Sequence, residues 1–270
     1  LRASAPEGGA PVGVSGGFNW VDLMTTDHAG AKAFYTRLFG WEAQDQPAGD
    51  AGVYTMFLSD GLPVAGSGEY RSEQRAQGLP TVWTSYVTVE SADVTVARSV
   101  ELGGTALMPA MDVMAAGRMA MIAGPTGEVF GIWQDGNHAG AGKFNEPVSL
   151  TWNELATTDP EAAEAFYTGV FGWTTEVSDA GVGPYIVFKN GDRPNGGMYN
   201  MTGVVPEGVR PHWLPYFSVA DAKATAAQCS DLGGALLSGP MDVPVVGQMA
   251  ILADPQGGNF CVLEAAPATP

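Results

Sequence analysis

The sequence WVDLMTTDHAGAKAFYTRLFGW occupies residues 20–41 and returns, with substitutions, as WNELATTDPEAAEAFYTGVFGW at residues 152–173. Both copies carry Thr-Thr-Asp after a short apolar run, Ala-Phe-Tyr in the middle and Phe-Gly-Trp at the end. Agreement over windows of this length indicates an internal duplication, and repeats must be recognised before a fold is assigned. The chain therefore consists of two related halves.

Each window predicts a β-strand followed by a capped α-helix. Asp27 and Asp159 stand at the N-cap position, and Pro160 follows at the first helical position of the second copy. The apolar residues that come next recur at helical spacing, which predicts one buried helix face. Gly40 and Gly172 stand where a helix commonly ends in a left-handed residue. The repeated unit is a strand, a helix, a glycine stop and a further strand.

Composition excludes several classes of protein. The chain has 270 residues, which favours about two domains, and a formal net charge of −17. This acidity argues against nucleic acid and anionic membrane surfaces as partners, because both attract basic proteins. No apolar run reaches the length of a membrane span. Two cysteines, Cys229 and Cys261, form neither a disulfide framework nor a metal-binding spacing, so a cytoplasmic location is expected.

The order of predicted elements divides the chain into tails, two domains and a linker. We expect a flexible tail at residues 1–16, a first domain at 17–135, a Gly- and Asn-rich linker at 136–146, a second domain at 147–265 and a tail at 266–270. Each domain reads as two strand–helix–strand–strand–strand modules. In the second module of the first domain, a helix predicted over Ala92 to Leu102 places Val94, Ala97 and Val100 on its inner side.

This pattern resembles the vicinal oxygen chelate superfamily, which includes glyoxalase I, bleomycin-resistance proteins and extradiol dioxygenases. The likeness rests on the repeated window, the Gly-Gly after each second helix and the Pro-x-Gly turns that begin at Pro125 and Pro255. The whole chain is similar to tandem two-domain glyoxalase-like proteins of actinobacteria. The resemblance implies an α+β fold in which each domain builds two βαβββ modules into a curved sheet around a cleft.

The resemblance also implies where a metal would bind, and those positions lack suitable ligands. Metal-dependent relatives place His or Glu on inward faces of particular strands. The equivalent positions here are Trp20, Thr84 and Gly131 in the first domain, with Trp152, Leu214 and Cys261 in the second. A fourth position falls near residues 66–68 and near residues 197–198. Because divalent metals need several converging N or O donors, we expect no metal and no cofactor. Enzymatic activity stays open on the same ground.

The three histidines do not supply the missing donors. His28 stands beside the first helix cap and is expected to face solvent. His138 lies in the linker, and His212 precedes a strand near the mouth of a cleft.

Two acidic residues are the candidates for chemistry. Asp22 and Glu154 occupy equivalent strand positions, and alternation places them on the same face as Trp20 and Trp152. They can bind a cation, accept a hydrogen bond from a ligand's amine or hydroxyl, or act as a base with a raised pKa. The alternative is a carboxylate whose hydrogen bonds are all satisfied within the sheet.

The predicted cleft faces are otherwise aromatic and apolar. Such a surface suits a flat organic ligand. The alternative is that these side chains simply fill the cleft themselves. The candidate ligand-binding residues are Trp20, Asp22, Met24, Tyr86 and Trp133 in the first domain, with Trp152, Glu154, Tyr216 and Cys261 in the second.

Three functional hypotheses follow from the resemblance. The leading one is metal-independent binding of a small, partly aromatic molecule, with a role in antibiotic resistance or as an accessory factor in antibiotic biosynthesis. The second is a glyoxalase- or hydroxylase-like enzyme with Asp22 or Glu154 as acid or base. The third is a regulatory protein that binds a kinase or a tailoring enzyme through its acidic surface. The fold alone does not separate them, because it hosts many activities.

Overall fold

The computed structural model describes residues 14–49, 52–179 and 184–267. Residues 1–13 of the predicted first tail and 268–270 of the second lie outside this part. The elements of the N-terminal half are β1 (Phe18–Thr25), α1 (His28–Phe39), β2 (Glu42–Pro47), β3 (Val53–Ser59), β4 (Leu62–Glu69), α2 (Ser72–Ala76), β5 (Val82–Thr88), α3 (Ala92–Glu101), β6 (Thr105–Val113), β7 (Gly117–Ala123) and β8 (Val129–Asp135).

The C-terminal half repeats this order without a counterpart of α2. Its elements are β9 (Leu150–Thr157), α4 (Pro160–Phe171), β10 (Thr174–Asp179), β11 (Pro184–Asn190), β12 (Arg193–Asn200), β13 (His212–Ser218), α5 (Ala222–Asp231), β14 (Ala235–Val243), β15 (Gly247–Ala253) and β16 (Asn259–Ala265).

Each half forms one eight-stranded sheet. The strand order is β2-β3-β4-β1-β5-β8-β7-β6 in the first half, and the second half repeats it as β10-β11-β12-β9-β13-β16-β15-β14. The two modules of a half meet at the central antiparallel pair, β1 with β5 and β9 with β13. The predicted α+β fold, with two βαβββ modules per half, is therefore confirmed.

Helix α1 forms for the reasons that the sequence indicates. The Asp27 carboxylate accepts a hydrogen bond from the Gly30 backbone N–H at 2.9 Å and so caps the first turn. Gly40 ends the helix with φ of 70°, a conformation that costs a glycine little. Helix α4 repeats both features with Asp159 and Gly172. The helix-start and helix-stop predictions are confirmed.

The helices build cores that join the two halves. One core combines the buried face of α1, including Phe34 and Tyr35, with Phe217 and Phe260 of the C-terminal half. The second core combines α4 with the strands that end the N-terminal half, where Phe130 meets the α4 aromatics. Each sheet thus consists of strands from one half, whereas its helix-covered face packs against the other half.

A matched pair of buried hydrogen-bond chains crosses between the halves. Trp83 donates to the Tyr35 hydroxyl at 2.9 Å, and that hydroxyl donates to the Asp254 carboxylate at 2.9 Å. The second chain runs through the equivalent Tyr167, whose hydroxyl donates to Glu128 at 2.9 Å. The two carboxylates stand at opposite ends of equivalent turns. The repeated Ala-Phe-Tyr tyrosines therefore join the halves through polar contacts as well as through packing.

Helix α3 departs from the sequence prediction. Val94 and Val100 are 68% and 51% exposed, and the buried positions are Ala92 and Ser99. The predicted inner face of this helix is wrong. Val96 and Leu102 pack against the second core, on the same side as the buried Ala92 and Ser99, so the buried stripe lies at a different helical register from the predicted one. Both sets of positions recur at helical spacing, so periodicity alone does not choose between them.

No helix in the described ranges is long and apolar enough to cross a membrane. Both cysteines are buried, and they do not form a disulfide with each other.

Candidate functional site

One face of the N-terminal sheet, which carries Trp20 and is called the N-terminal cleft below, brings together the predicted site residues of this half. The equivalent face around Trp152 is called the C-terminal cleft. Trp20 and Asp22 of β1 stand beside Tyr86 and Thr84 of β5, respectively, in the antiparallel register. Trp20, Tyr86 and Trp133 form one buried cluster. Strand alternation therefore predicted this face correctly.

Tyr54 is the central residue of this face that sequence reasoning missed. Its hydroxyl accepts a hydrogen bond from the Trp20 indole N–H at 3.0 Å and also hydrogen-bonds Asp22. The Tyr86 hydroxyl donates to both carboxylate oxygens of Asp22 at 3.3 Å each. A side chain on Gly66 would overlap the Tyr54 hydroxyl. A glycine on β4 thus lets a tyrosine of β3 reach across the sheet.

The C-terminal sheet carries the same network with a glutamate. Trp152 donates to the Tyr185 hydroxyl at 2.8 Å, and that hydroxyl donates to Glu154 at 3.0 Å. The Tyr216 hydroxyl donates to the other Glu154 oxygen at 2.6 Å. Gly197 leaves room for Tyr185 as Gly66 does for Tyr54. Each cleft therefore holds one carboxyl group between two tyrosine hydroxyls, one of which also accepts from an indole.

The sequence contains a signal for these tyrosines. Val53-Tyr54-Thr55-Met56-Phe57 and Pro184-Tyr185-Ile186-Val187-Phe188 occupy equivalent positions of the duplication, each about a dozen residues before a Gly that faces the cleft. The pairing of a repeated Tyr with a repeated Gly could have indicated the contact. Alternation alone does not, because it assigns a face to a residue but not the reach of its side chain.

Burial sets the protonation of the two carboxyl groups. Burial raises the pKa of Asp22 to about 7, although hydrogen bonds from Tyr86 and Tyr54 act in the opposite direction. Burial likewise raises the pKa of Glu154 above its ordinary value, opposed by Tyr216 and Tyr185. Burial, together with the neighbouring carboxyl group, holds the pKa of the four tyrosines well above 10, so their hydroxyls remain donors at neutral pH.

The donor set does not fit a divalent metal. On the N-terminal face, Asp22 has Gly66 and Thr84 as its neighbours in register, and Tyr86 has Gly131. A single carboxyl group, already bonded to tyrosines, leaves a metal without the several ligands it needs. In the C-terminal cleft the equivalent set has Glu154 beside glycine and leucine. Within the described residues, no three His, Cys, Asp or Glu side chains group so as to hold a metal ion.

The other predicted site residues line the clefts in different ways. Met24 lies beside Gly68, whereas the C-terminal half has Ala156 beside Tyr199, so the larger side chain changes strand between the copies. Cys261 is fully buried in the C-terminal cluster with Tyr216, and Trp152 packs against that cluster.

The histidines differ from the expectation in one case. His28 is buried, with 9% exposure, and its Nε2 lies 3.0 Å from the Thr55 hydroxyl, so its predicted solvent exposure is wrong. His212 is partly exposed, and its Nδ1 lies 2.8 Å from the Arg210 carbonyl oxygen.

His138 lies on the N-terminal cleft, although it belongs to the predicted linker. Its ring packs edge-on against Trp20, with ring centroids 4.5 Å apart, and also contacts Trp133. The Trp133 indole N–H donates to the His138 carbonyl oxygen at 2.8 Å. The segment between the halves therefore forms part of the site, which sequence composition did not indicate.

Comparison with known proteins matches both halves to one group of families. Residues 17–132 match the model of the glyoxalase/bleomycin resistance protein/dioxygenase superfamily, and residues 152–263 match the model of a glyoxalase-like domain. The chain is 45% identical over 251 residues to a Mycobacterium tuberculosis protein named "Putative glyoxylase CFP32", covering 92% of this chain and 95% of that protein. It is 36% identical over 257 residues to the anthracycline biosynthesis protein DnrV of Streptomyces peucetius, covering 91% and 92%.

Solved structures share the fold at low sequence identity. The Mn(II)-bound glyoxalase of Novosphingobium aromaticivorans superimposes with a TM-score of 0.61 at 15% identity, covering 94% of this chain and 84% of that one. The 2,3-dioxygenase LapB of Pseudomonas sp. KL28 gives 0.63 at 14% identity, covering 95% and 96%. At these identities the likeness shows the fold alone.

Proposed function

Because this chain belongs to the glyoxalase/bleomycin resistance protein/dioxygenase superfamily, we propose that it binds a small, partly aromatic molecule in its sheet-lined clefts without using a metal. The observation that carries the proposal is the duplicated network of one carboxyl group, two tyrosines and one tryptophan on each concave face. Aromatic rings with polar groups at their centre suit a flat organic ligand, which stacks and forms a few hydrogen bonds.

Two further observations support this reading. The positions equivalent to metal ligands in metal-dependent relatives carry tryptophan, threonine, glycine, leucine or cysteine, and each cleft has only a single carboxyl group beside them. The Streptomyces relatives are named for anthracycline biosynthesis, and anthracyclines are flat aromatic molecules. We therefore propose a drug or secondary metabolite as the ligand, with a role in antibiotic biosynthesis or resistance.

Titration calorimetry of the full chain tests the proposal. A panel of anthracyclines and other polycyclic aromatic compounds is titrated into protein treated with a chelator, and again after addition of one equivalent of Mn(II) or Fe(II). We expect saturable binding with an affinity that changes less than twofold on metal addition. Absence of heat from every compound, or binding that requires metal, would contradict the proposal.

A second candidate function, acid–base catalysis, is favoured by the carboxyl pKa. A group with a pKa of about 7, such as Asp22, exchanges its proton readily at neutral pH. The reaction class would be a proton shift next to a carbonyl group, in which the carboxylate removes a proton from one carbon and returns it to its neighbour. Turnover of a hemithioacetal of methylglyoxal, lost in Asp22→Asn or Glu154→Gln while each variant stays folded, would establish it.

The kinase or tailoring-enzyme partner stays a prediction. The chain's net charge of −17 is its only support. Recovery of a kinase by the immobilised protein at low salt, with loss at high salt, would revive it.

A further inference from the structure

The two clefts differ in one respect that the duplication does not predict, namely what lies over them. The segment between the halves crosses the N-terminal cleft and is held there by several contacts. The Gly142 N–H donates to the Pro63 carbonyl at 2.7 Å, and the Ala141 N–H donates to the Asn19 carbonyl at 2.8 Å. Lys143 is 8% exposed and forms an ion pair with Asp60 at 2.7 Å. The segment is therefore a docked part of the N-terminal half.

Gly140 shows how closely this segment approaches the sheet. Its φ is 103°, and a side chain there would meet the Asn19 carbonyl oxygen at 2.6 Å. Ala141, the next residue, is fully buried in the same cluster as Trp20 and Tyr86. Only a residue without a side chain permits this approach.

The His138 ring packs onto this face against Trp20 and Trp133. Its ring lies edge-on to Trp20 at a centroid distance of 4.5 Å, within the range of aromatic pairs. Its Nε2 is buried and has no hydrogen-bond partner in the described chain. Trp20, against which the His138 ring packs, is only 5% exposed, and Asp22 is 9% exposed.

Key residues of the C-terminal cleft are more exposed than their N-terminal counterparts. Trp152 is partly exposed, whereas the other six tryptophans of the chain are all buried. Glu154 is also partly exposed, unlike Asp22.

The hydrogen bonds around Glu154 define which ligand chemistry fits. The indole N–H of Trp152 and the hydroxyl hydrogens of Tyr185 and Tyr216 are all donated within the network. The remaining capacity of the carboxylate is its free lone pairs, which only accept. A ligand must therefore supply N–H or O–H donors, and the neighbouring Met249 and Ile251 supply an apolar wall.

Resting on the proposed function, we infer that the C-terminal cleft takes the ligand, a flat aromatic molecule with N–H or O–H donors, while the N-terminal cleft is filled by the chain's own His138. Only the C-terminal cleft would then bind a ligand. The N-terminal cleft would instead hold the segment that connects the two halves.

Fluorine NMR of the full chain labelled with 5-fluorotryptophan tests both parts of the inference. Seven resonances are expected, and Trp152→Phe and Trp20→Phe assign the two that matter. The first measurement needs no ligand: the shift of each resonance between H2O and D2O reports water contact. We expect the Trp152 resonance to show the largest shift and the Trp20 resonance to show little.

The second measurement adds daunorubicin, an amine-bearing anthracycline, as the probe. We expect it to move the Trp152 resonance, to bind with a stoichiometry of one, and to bind at least tenfold more weakly to Glu154→Gln, which replaces one carboxylate oxygen with an NH2 donor and removes the negative charge. His138→Ala should expose Trp20 to water and raise the stoichiometry to two. Asn137→Ala, at the adjacent exposed position, is the matched control and should change neither quantity.

The possible outcomes distinguish a failure of this inference from a failure of the proposed function. A Trp20 resonance that moves first, a stoichiometry of two in the wild-type protein, or equal solvent shifts at Trp20 and Trp152 would overturn the inference while leaving ligand binding intact. A protein in which neither daunorubicin nor the wider aromatic panel moves any resonance would overturn the proposed function and the ligand assignment with it. The solvent shifts would still decide whether His138 closes the N-terminal cleft.

Discussion

Replacing Asp22 with asparagine should make the protein's stability less dependent on pH. Folded Asp22 keeps its proton up to about pH 7, whereas the unfolded chain releases it near the ordinary value of 3.8. Between these values the folded state binds more protons, so the free energy of unfolding falls as pH rises. The contribution of this site is fully present below the unfolded pKa and is lost as pH passes through the folded one.

The magnitude follows from the size of the shift. A displacement from 3.8 to about 7 corresponds to about 4 kcal/mol over the whole window, at about 1.4 kcal/mol per pKa unit. Titration between pH 5 and pH 8 covers about 2–3 kcal/mol of this. Asparagine has the shape of the protonated acid, and its amide oxygen still accepts from the Tyr86 hydroxyl. The variant therefore removes the titration without removing the hydrogen bond.

Urea unfolding of both proteins at several pH values between 5 and 8 measures the effect. The quantity to follow is the free energy of unfolding of Asp22→Asn minus that of the wild type, because titrations elsewhere cancel in the difference. We expect this difference to increase by about 2–3 kcal/mol from pH 5 to pH 8 in favour of the variant. Asp192→Asn, an exposed position in the β11–β12 turn, gives the baseline. Parallel curves for Asp22→Asn and wild type would refute the burial argument.

Three further predictions concern packing, the contact between the halves and ligand binding. Gly66→Ala should displace the Tyr54 hydroxyl and lower the free energy of unfolding by about 1–3 kcal/mol, measured by urea unfolding; an unchanged midpoint would contradict the close approach. Tyr35→Phe should cost about 1–3 kcal/mol, because it leaves the buried Asp254 carboxyl group without its partner from the other half; a thermal midpoint equal to the wild type would argue against this contact. A ligand with N–H or O–H donors should bind the wild-type protein about tenfold more tightly as pH rises through the pKa of Glu154, because the ionised carboxylate is the better acceptor. Calorimetry over a series of pH values measures this affinity, and the Glu154→Gln variant should show no such dependence on pH.

The sequence predicted those features whose cause is local. The helix ends at Asp27 and Gly40 depend on capping and on backbone conformation over a few residues, and both were confirmed. The placement of Trp20 and Asp22 on one strand face depends only on the two-residue period of a β-strand, and it was confirmed as well. The predicted face of α3 failed because its sequence fits two helical registers, and only packing against the second core decides which of them is buried.

The site depended more strongly on distant parts of the chain. Tyr54 of β3 reaches Trp20 of β1 across the strand between them, β4. His138 contacts the same tryptophan from a segment whose Gly-rich composition indicates only a linker. Neither contact follows from periodicity, because periodicity does not specify how far a side chain extends or where a linker docks.

The sequence by itself determined the duplication, the order of the modules, the aromatic character of the clefts and the shortage of metal-binding side chains, since all of these are properties of residue type and spacing. Only the tertiary structure decided that the two modules of a half share one sheet while the helical cores join the halves. It also decided that Trp20 is buried against the chain's own His138, whereas Trp152 is partly exposed. These outcomes depend on which surfaces meet when the chain folds. Two copies of one pattern consequently reach different environments, because the segment between the halves docks on the N-terminal copy.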